Sequence, residues 1–151
     1  KSTSRALVLP AGIGAGRPAS FEPTAEPSYF IWQGPRGGWR IRTTTKGVKQ
    51  RFRGHIQGTT GSVVDVDPSR VEFRDDVWKA ENGWAFDFST ANHADGFTFH
   101  TRDNGCVRFD LILDDGGTPK RVVIGLSQHQ PATGHFILCP KGATPSSARG
   151  G

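Results

Sequence analysis

Methionine is absent from the 151 residues, tyrosine occurs once and cysteine twice. No apolar run approaches the length of about 18 residues that a membrane-spanning helix requires, so no transmembrane segment is expected. Two cysteines are too few for a zinc cage and do not form CxxC. HExxH and GxSxG are both missing, which removes the usual signatures of a zinc protease and of a serine hydrolase. The five histidines form no HxH pair, and Lys1 excludes a copper site built on an N-terminal histidine. Glycines 12, 14 and 16 (GIGAG) lack the strand-then-helix context of a phosphate-binding loop. No cofactor is therefore expected, apart from a weak calcium candidate.

The cysteines that are present sit in strand-like apolar runs. Cys106 precedes VRFDLIL and Cys139 closes HFILC, so a bond across neighbouring strands is expected. A disulfide implies an oxidising compartment. The start at Lys1 fits removal of an export leader, and a secreted or periplasmic location is expected.

Glycine and proline are crowded at the ends. Eleven of the 20 glycines and 10 prolines fall in residues 1–38 and five in 140–151. Residues 1–27 read as an extended Pro/Gly-rich N-terminal arm, 28–139 as the folded domain and 140–151 as a C-terminal tail. Arg5 to Pro10 is the one stretch of the arm that suits a short edge strand.

Inside the domain the apolar residues alternate with period two. Trp39 and Ile41 alternate with Arg40 and Arg42; Phe52 and Ile56 alternate with Arg51, Arg53 and His55. Val107, Phe109, Leu111 and Leu113 form a later series. Four Asx-Gly pairs, Asn82-Gly83, Asp95-Gly96, Asn104-Gly105 and Asp115-Gly116, are read as tight turns, because both residue types tolerate positive φ. Gly47 is read as a turn residue for the same reason, and Asp75–Glu81 as a single helical turn. The expected fold is all-β, an antiparallel β-sandwich of jelly-roll or Ig-like type.

Charge is segregated along the chain. No acid lies between Glu26 and Asp65, whereas 12 of the 14 acids lie from Asp65 to Asp115. Read as one hairpin, residues 39–56 place Arg40, Arg42, Lys49, Arg51, Arg53 and His55 on a single face as an anion-binding surface. The aromatics fall on the other face, which argues against a single-strand nucleic-acid platform. Asp65, Asp67, Asp75 and Asp76 supply the oxygens of a calcium loop, but their spacing fails the EF-hand pattern. Asp87 and Asp110 point outward on their strands as carboxylates for a ligand-facing surface. Among the four tryptophans, Trp39 and Trp84 fit the core; Trp32 and Trp78 are candidates for sugar stacking or a protein interface.

Together these features suggest a non-enzymatic, extracytoplasmic accessory subunit. It would dock on other protein subunits through its arms and its basic hairpin face. A carbohydrate-binding module is the alternative, with an anionic partner or polysaccharide as ligand, and a small secreted hydrolase is the weaker one.

Overall fold

The computed structural model describes residues 6–19, 26–34, 38–47, 49–59, 63–67, 76–90, 94–113, 121–129 and 134–142. Their regular structure is nearly all β, with no α-helix among them. The strands are β1 (Leu7–Val8), β2 (Ser28–Gln33), β3 (Trp39–Thr44), β4 (Gln50–Gly58), β5 (Val64–Val66), β6 (Val77–Ala80), β7 (Gly83–Thr90), β8 (Ala94–Thr101), β9 (Val107–Leu113), β10 (Arg121–Ile124), β11 (Ser127–His129) and β12 (His135–Leu138). Two six-stranded sheets result: sheet I in the order β1-β12-β9-β4-β7-β6, and sheet II in the order β11-β10-β2-β3-β8-β5.

The sheets meet through aromatic side chains in a sandwich-like arrangement. Tyr29 of sheet II lies edge-on to Phe52 of sheet I at 5.2 Å, and Trp39 to Phe109 at 6.2 Å. Phe97 and Phe99 of sheet II reach Phe86 and Phe109 of sheet I at 5.6 and 6.0 Å. All of these rings belong to one buried cluster with Ile41, Ile56, Leu111 and Phe136. Each buried side chain of this size contributes roughly 1.5–3 kcal/mol. Period-two alternation is therefore read correctly along β3, β4 and β9, where every second residue faces this cluster.

Strand partners are a different matter. β3 and β4 do not form a hairpin: β3 pairs with β2 and β8, while β4 pairs with β7 and β9 in the other sheet. Alternation says which residues face inward but carries no information about which strand lies alongside. Between them, Thr45 is buried and Gly47 turns with φ of 88°. Nor are the sheets wholly antiparallel as expected, since β1 runs parallel to β12 and β10 parallel to β2. Parallel neighbours need a long crossover, and in each pair the chain passes through the opposite sheet before it returns.

Two of the Asx-Gly readings also need correction. Glu81 and Asn82 hold the positive φ values of the β6–β7 turn, 45° and 68°, so Gly83 already belongs to β7. Gly96 lies within β8, where an added Cβ would stand 2.0 Å from the Ile41 carbonyl oxygen. Glycine is needed there for close backbone approach rather than for turning. Asn104 does turn, with φ of 55°, and Asp115-Gly116 falls outside the described residues. Val77–Ala80, read as part of a helical turn, is the edge strand β6.

The described part of residues 1–27 is built into the domain. Leu7–Val8 adds a strand beside β12, Leu9 is buried in the core, and the Gly12 N–H donates to the Cys139 carbonyl at 2.9 Å. Residues 1–5, 20–25 and 143–151 of the arm and tail lie outside the described residues. Cys106 and Cys139 are bonded, at the end of the β9–β12 ladder and with Cα atoms 4.2 Å apart. That is the narrow cross-strand spacing, and closing a loop 33 residues long stabilises the fold by about 3–4 kcal/mol in the chain-entropy account.

Tyr29 links the sheets by a second means. Its hydroxyl lies 3.0 Å from the carbonyl oxygens of both Arg53 and Ile112, which are register partners in sheet I. Burial pushes its pKa well above the ordinary phenol value, so the hydroxyl stays a donor. Tyr29→Phe removes that donor and leaves the ring in place. It is expected to lower unfolding stability by about 1–3 kcal/mol, measured by urea denaturation; a midpoint equal to that of the parent chain would show that the hydroxyl does not join the sheets.

Candidate functional site

The side chains that alternate with the core on sheet II form its outer face: Phe30 and Trp32 on β2, Arg40 and Arg42 on β3, Thr98 on β8, and Arg121 and Val123 on β10. Trp32 and Thr98 are the register partners of Arg40 on its two sides. Phe30, Trp32 and Val123 make a small buried cluster on this face, separate from the main core. Arg121 lies over the Phe30 ring at 5.4 Å and donates to the Ser28 hydroxyl at 3.2 Å.

The N-terminal segment brings a further arginine to this face. Gly14 lies against the Trp39 ring, where an added Cβ would come within 3.0 Å. Its carbonyl accepts the Gln33 N–H at 2.7 Å, and Ala15 bridges to Gln33 in parallel fashion. Two residues on, Arg17 arrives beside Arg40 and Arg42. The result is a groove of about 480 Å³ lined by Ala15, Gly16, Arg17, Trp32, Gln33, Gly34, Arg40 and Arg42. No carboxylate occurs among the described residues that line it. Guanidinium groups remain charged at any physiological pH and offer forked donors that match carboxylate or sulfate oxygens. Trp32 is only 4% exposed, so it contributes a wall and little stacking area.

Arg40 also lines a second groove, of about 800 Å³, on the other side of β3, together with Asp67, Thr98, His100, Arg102, Asp103 and Asn104 among others. Beside it, Arg102 donates to both oxygens of Asp65, Nε at 2.7 Å and Nη2 at 3.2 Å. This contact, above all, holds the Asp65 carboxyl below its ordinary pKa.

The expected single basic face is thus divided between the two sheets. Arg40 and Arg42 remain together on sheet II, where Arg17 and Arg121 join them. Arg51, Arg53 and His55 point outward from sheet I, and Lys49 is exposed just ahead of β4. On sheet I several side chains are paired locally. Arg51 grips Asp87 with two donors at 2.9 and 2.6 Å, Asp110 accepts from Arg108 and from the ring of His135, and His55 Nε2 bonds to the Ala80 carbonyl at 2.8 Å. Asp87 and Asp110 do point outward as expected. They stand on β7 and β9 with β4 between them, each engaged by an arginine.

Trp78, on the edge strand β6, is 46% exposed. Trp39 is fully buried as expected, whereas Trp84 packs partly buried on the core and donates Nε1 to the Val64 carbonyl at 2.8 Å. Of the calcium candidates, Asp65 is engaged by Arg102, Asp67 lies just past β5, and Asp75 falls outside the described residues. Among the described residues no three His, Cys, Asp or Glu side chains converge on a metal position. No family model, curated protein or solved structure matches the chain.

Asp65 provides a pH test of the rim of the second groove. A carboxyl with a depressed folded pKa stabilises the fold above its unfolded pKa, and that contribution is lost as pH falls through the folded value. The parent chain is therefore expected to be more stable than Asp65→Asn at neutral pH, with the gap closing below about pH 3.9. Thermal unfolding across that range checks this; an undiminished gap in acid would refute it.

Proposed function

We propose that this chain is a non-enzymatic, exported β-sandwich module that binds an acidic saccharide in the groove beside Trp32. The observation that carries the reading is the convergence of three arginines, Arg17, Arg40 and Arg42, with Gln33 on one concave surface whose described lining holds no carboxylate. A uronate or sulfate group meets forked donors there, and Gln33 offers both a donor and an acceptor for neighbouring hydroxyls. The disulfide supports an extracytoplasmic setting. Titration calorimetry with trigalacturonate and with neutral maltotriose tests the reading. Trigalacturonate is expected to bind, more weakly as salt rises, and Arg40→Ala to reduce its affinity about tenfold, the effect of losing roughly 1.4 kcal/mol. Equal binding of maltotriose, no binding of trigalacturonate, or tighter binding of an oligothymidylate would overturn it.

A second reading, an accessory subunit that docks on other subunits, is favoured by the edge of sheet I, where β1 is the outermost strand among the described residues. There Leu7 and Val8 of β1 are 52% and 41% exposed. Exposed apolar residues on an edge strand invite strand addition. If copies of the chain dock this way, light scattering of the native protein gives a multiple of 16.4 kDa that Leu7→Lys with Val8→Lys returns to a monomer. A monomer in both cases removes that docking mode.

A further inference from the structure

We infer that Leu126, in the turn between β10 and β11, is a specificity-determining residue of the groove beside Trp32, and that it favours an acidic sugar carrying an apolar aglycone. The inference rests on the proposed binding of an acidic saccharide in that groove and adds to it the apolar end of the ligand.

Backbone contacts place Leu126 there. β10 runs beside β2 as far as Ile31, whose register partner is Ile124. Past that point the N-terminal segment takes its place along β2, through the Gln33 N–H bond to the Gly14 carbonyl and the Ala15–Gln33 bridge. The β10–β11 turn therefore abuts that segment. The Gly125 N–H donates to the Ile31 carbonyl at 2.8 Å, and an added Cβ at Gly125 would stand 2.4 Å from the Ile13 carbonyl oxygen. Leu126 follows and lies across Gly16, where an added Cβ would meet its Cγ, Cδ1 and Cδ2 at 2.9, 3.2 and 3.4 Å. Gly16 lines the groove between Ala15 and Arg17. The leucine thus stands on the rim of the groove.

Leu126 is 75% exposed, more than any other large apolar side chain among the described residues. Single exposed apolar residues are ordinary on a protein surface. This one differs in where it is held: the glycine before it packs on the backbone of residues 13–15, and the glycine beneath it is a member of the groove. A ligand whose acid meets Arg17 or Arg40 and whose other end passes over Gly16 covers the leucine. Covering it removes apolar area from water only if that end of the ligand is itself apolar. A further sugar ring would bring hydroxyl groups against a side chain that offers them no hydrogen-bond partner.

Calorimetry with methyl β-glucuronide, octyl β-glucuronide and uncharged octyl β-glucoside, each below its micelle concentration, tests this. Octyl glucuronide is expected to bind about tenfold tighter than methyl glucuronide, the effect of covering about two methylene groups. Leu126→Ser is expected to erase most of that preference by weakening octyl glucuronide and leaving methyl glucuronide unchanged. Arg40→Ala is expected to weaken both glucuronides, and octyl glucoside to bind at least tenfold more weakly than octyl glucuronide. Urea midpoints confirm that the variants are folded. Equal affinity for the two glucuronides, a preference untouched by Leu126→Ser, or octyl glucoside binding as tightly as octyl glucuronide overturns the role of Leu126. Failure of both glucuronides while trigalacturonate binds does the same and leaves the acidic-saccharide reading standing. Failure of all three acidic probes overturns that reading itself.

Discussion

An aromatic seam between the sheets decides where every outward side chain of this protein stands. Trp39 and Phe99 stack in sheet II, Phe109 and Phe136 stack in sheet I, and Phe109 meets both members of the first pair. A strand has no freedom to exchange its faces once such residues are buried, because a slip by one position would drive the whole apolar set into water. With Trp39 and Ile41 inside, Arg40 and Arg42 have to be outside. The disulfide and the Tyr29 hydroxyl act on the same seam, one closing the end of the β9–β12 ladder and the other tying β2 to the backbone of β4 and β9.

This constraint explains which parts of the structure were legible in the sequence. The inward members of β3, β4 and β9 follow from alternation alone, and the cross-strand cysteines follow from their places beside apolar runs. The division of the basic residues does not follow, because parity is a local property and strand pairing is not. Residues 39–56 look like a hairpin, yet the chain leaves sheet II after Thr44 and enters sheet I at Gln50. Asp95-Gly96 misleads for a related reason. The dipeptide is common in turns, but at Gly96 the demand for glycine comes from the Ile41 carbonyl of a strand more than 50 residues earlier. Arg17 and Gln33 were invisible as site residues because nothing in the GIGAG segment announces that it lies across Trp39.

The two outer faces arrange their charged residues differently. On sheet I, each outward acid of β7 and β9 is engaged by an arginine from the same strand or from β4. There the outward acids are already taken up by neighbouring side chains. On sheet II, cations from three separate stretches of chain, at 17, at 40 and 42, and at 121, share one face, and the acids are displaced to its β5 and β8 side.

Arginines from separate stretches of the chain meet on this face. Nothing in the aromatic seam requires it: a strand that buries Trp39 and Ile41 is indifferent to whether its outward residues are arginine, serine or threonine. The crowding therefore lies outside the requirements of the fold, and local departures from what folding favours are expected where a protein meets its ligand. Trp32 argues the same way. It faces outward and is nonetheless buried with Phe30 and Val123, and it lines the groove together with Ala15, Gly16, Arg17 and Arg40. The apolar members of the groove are buried, and its arginines are carried on that apolar base.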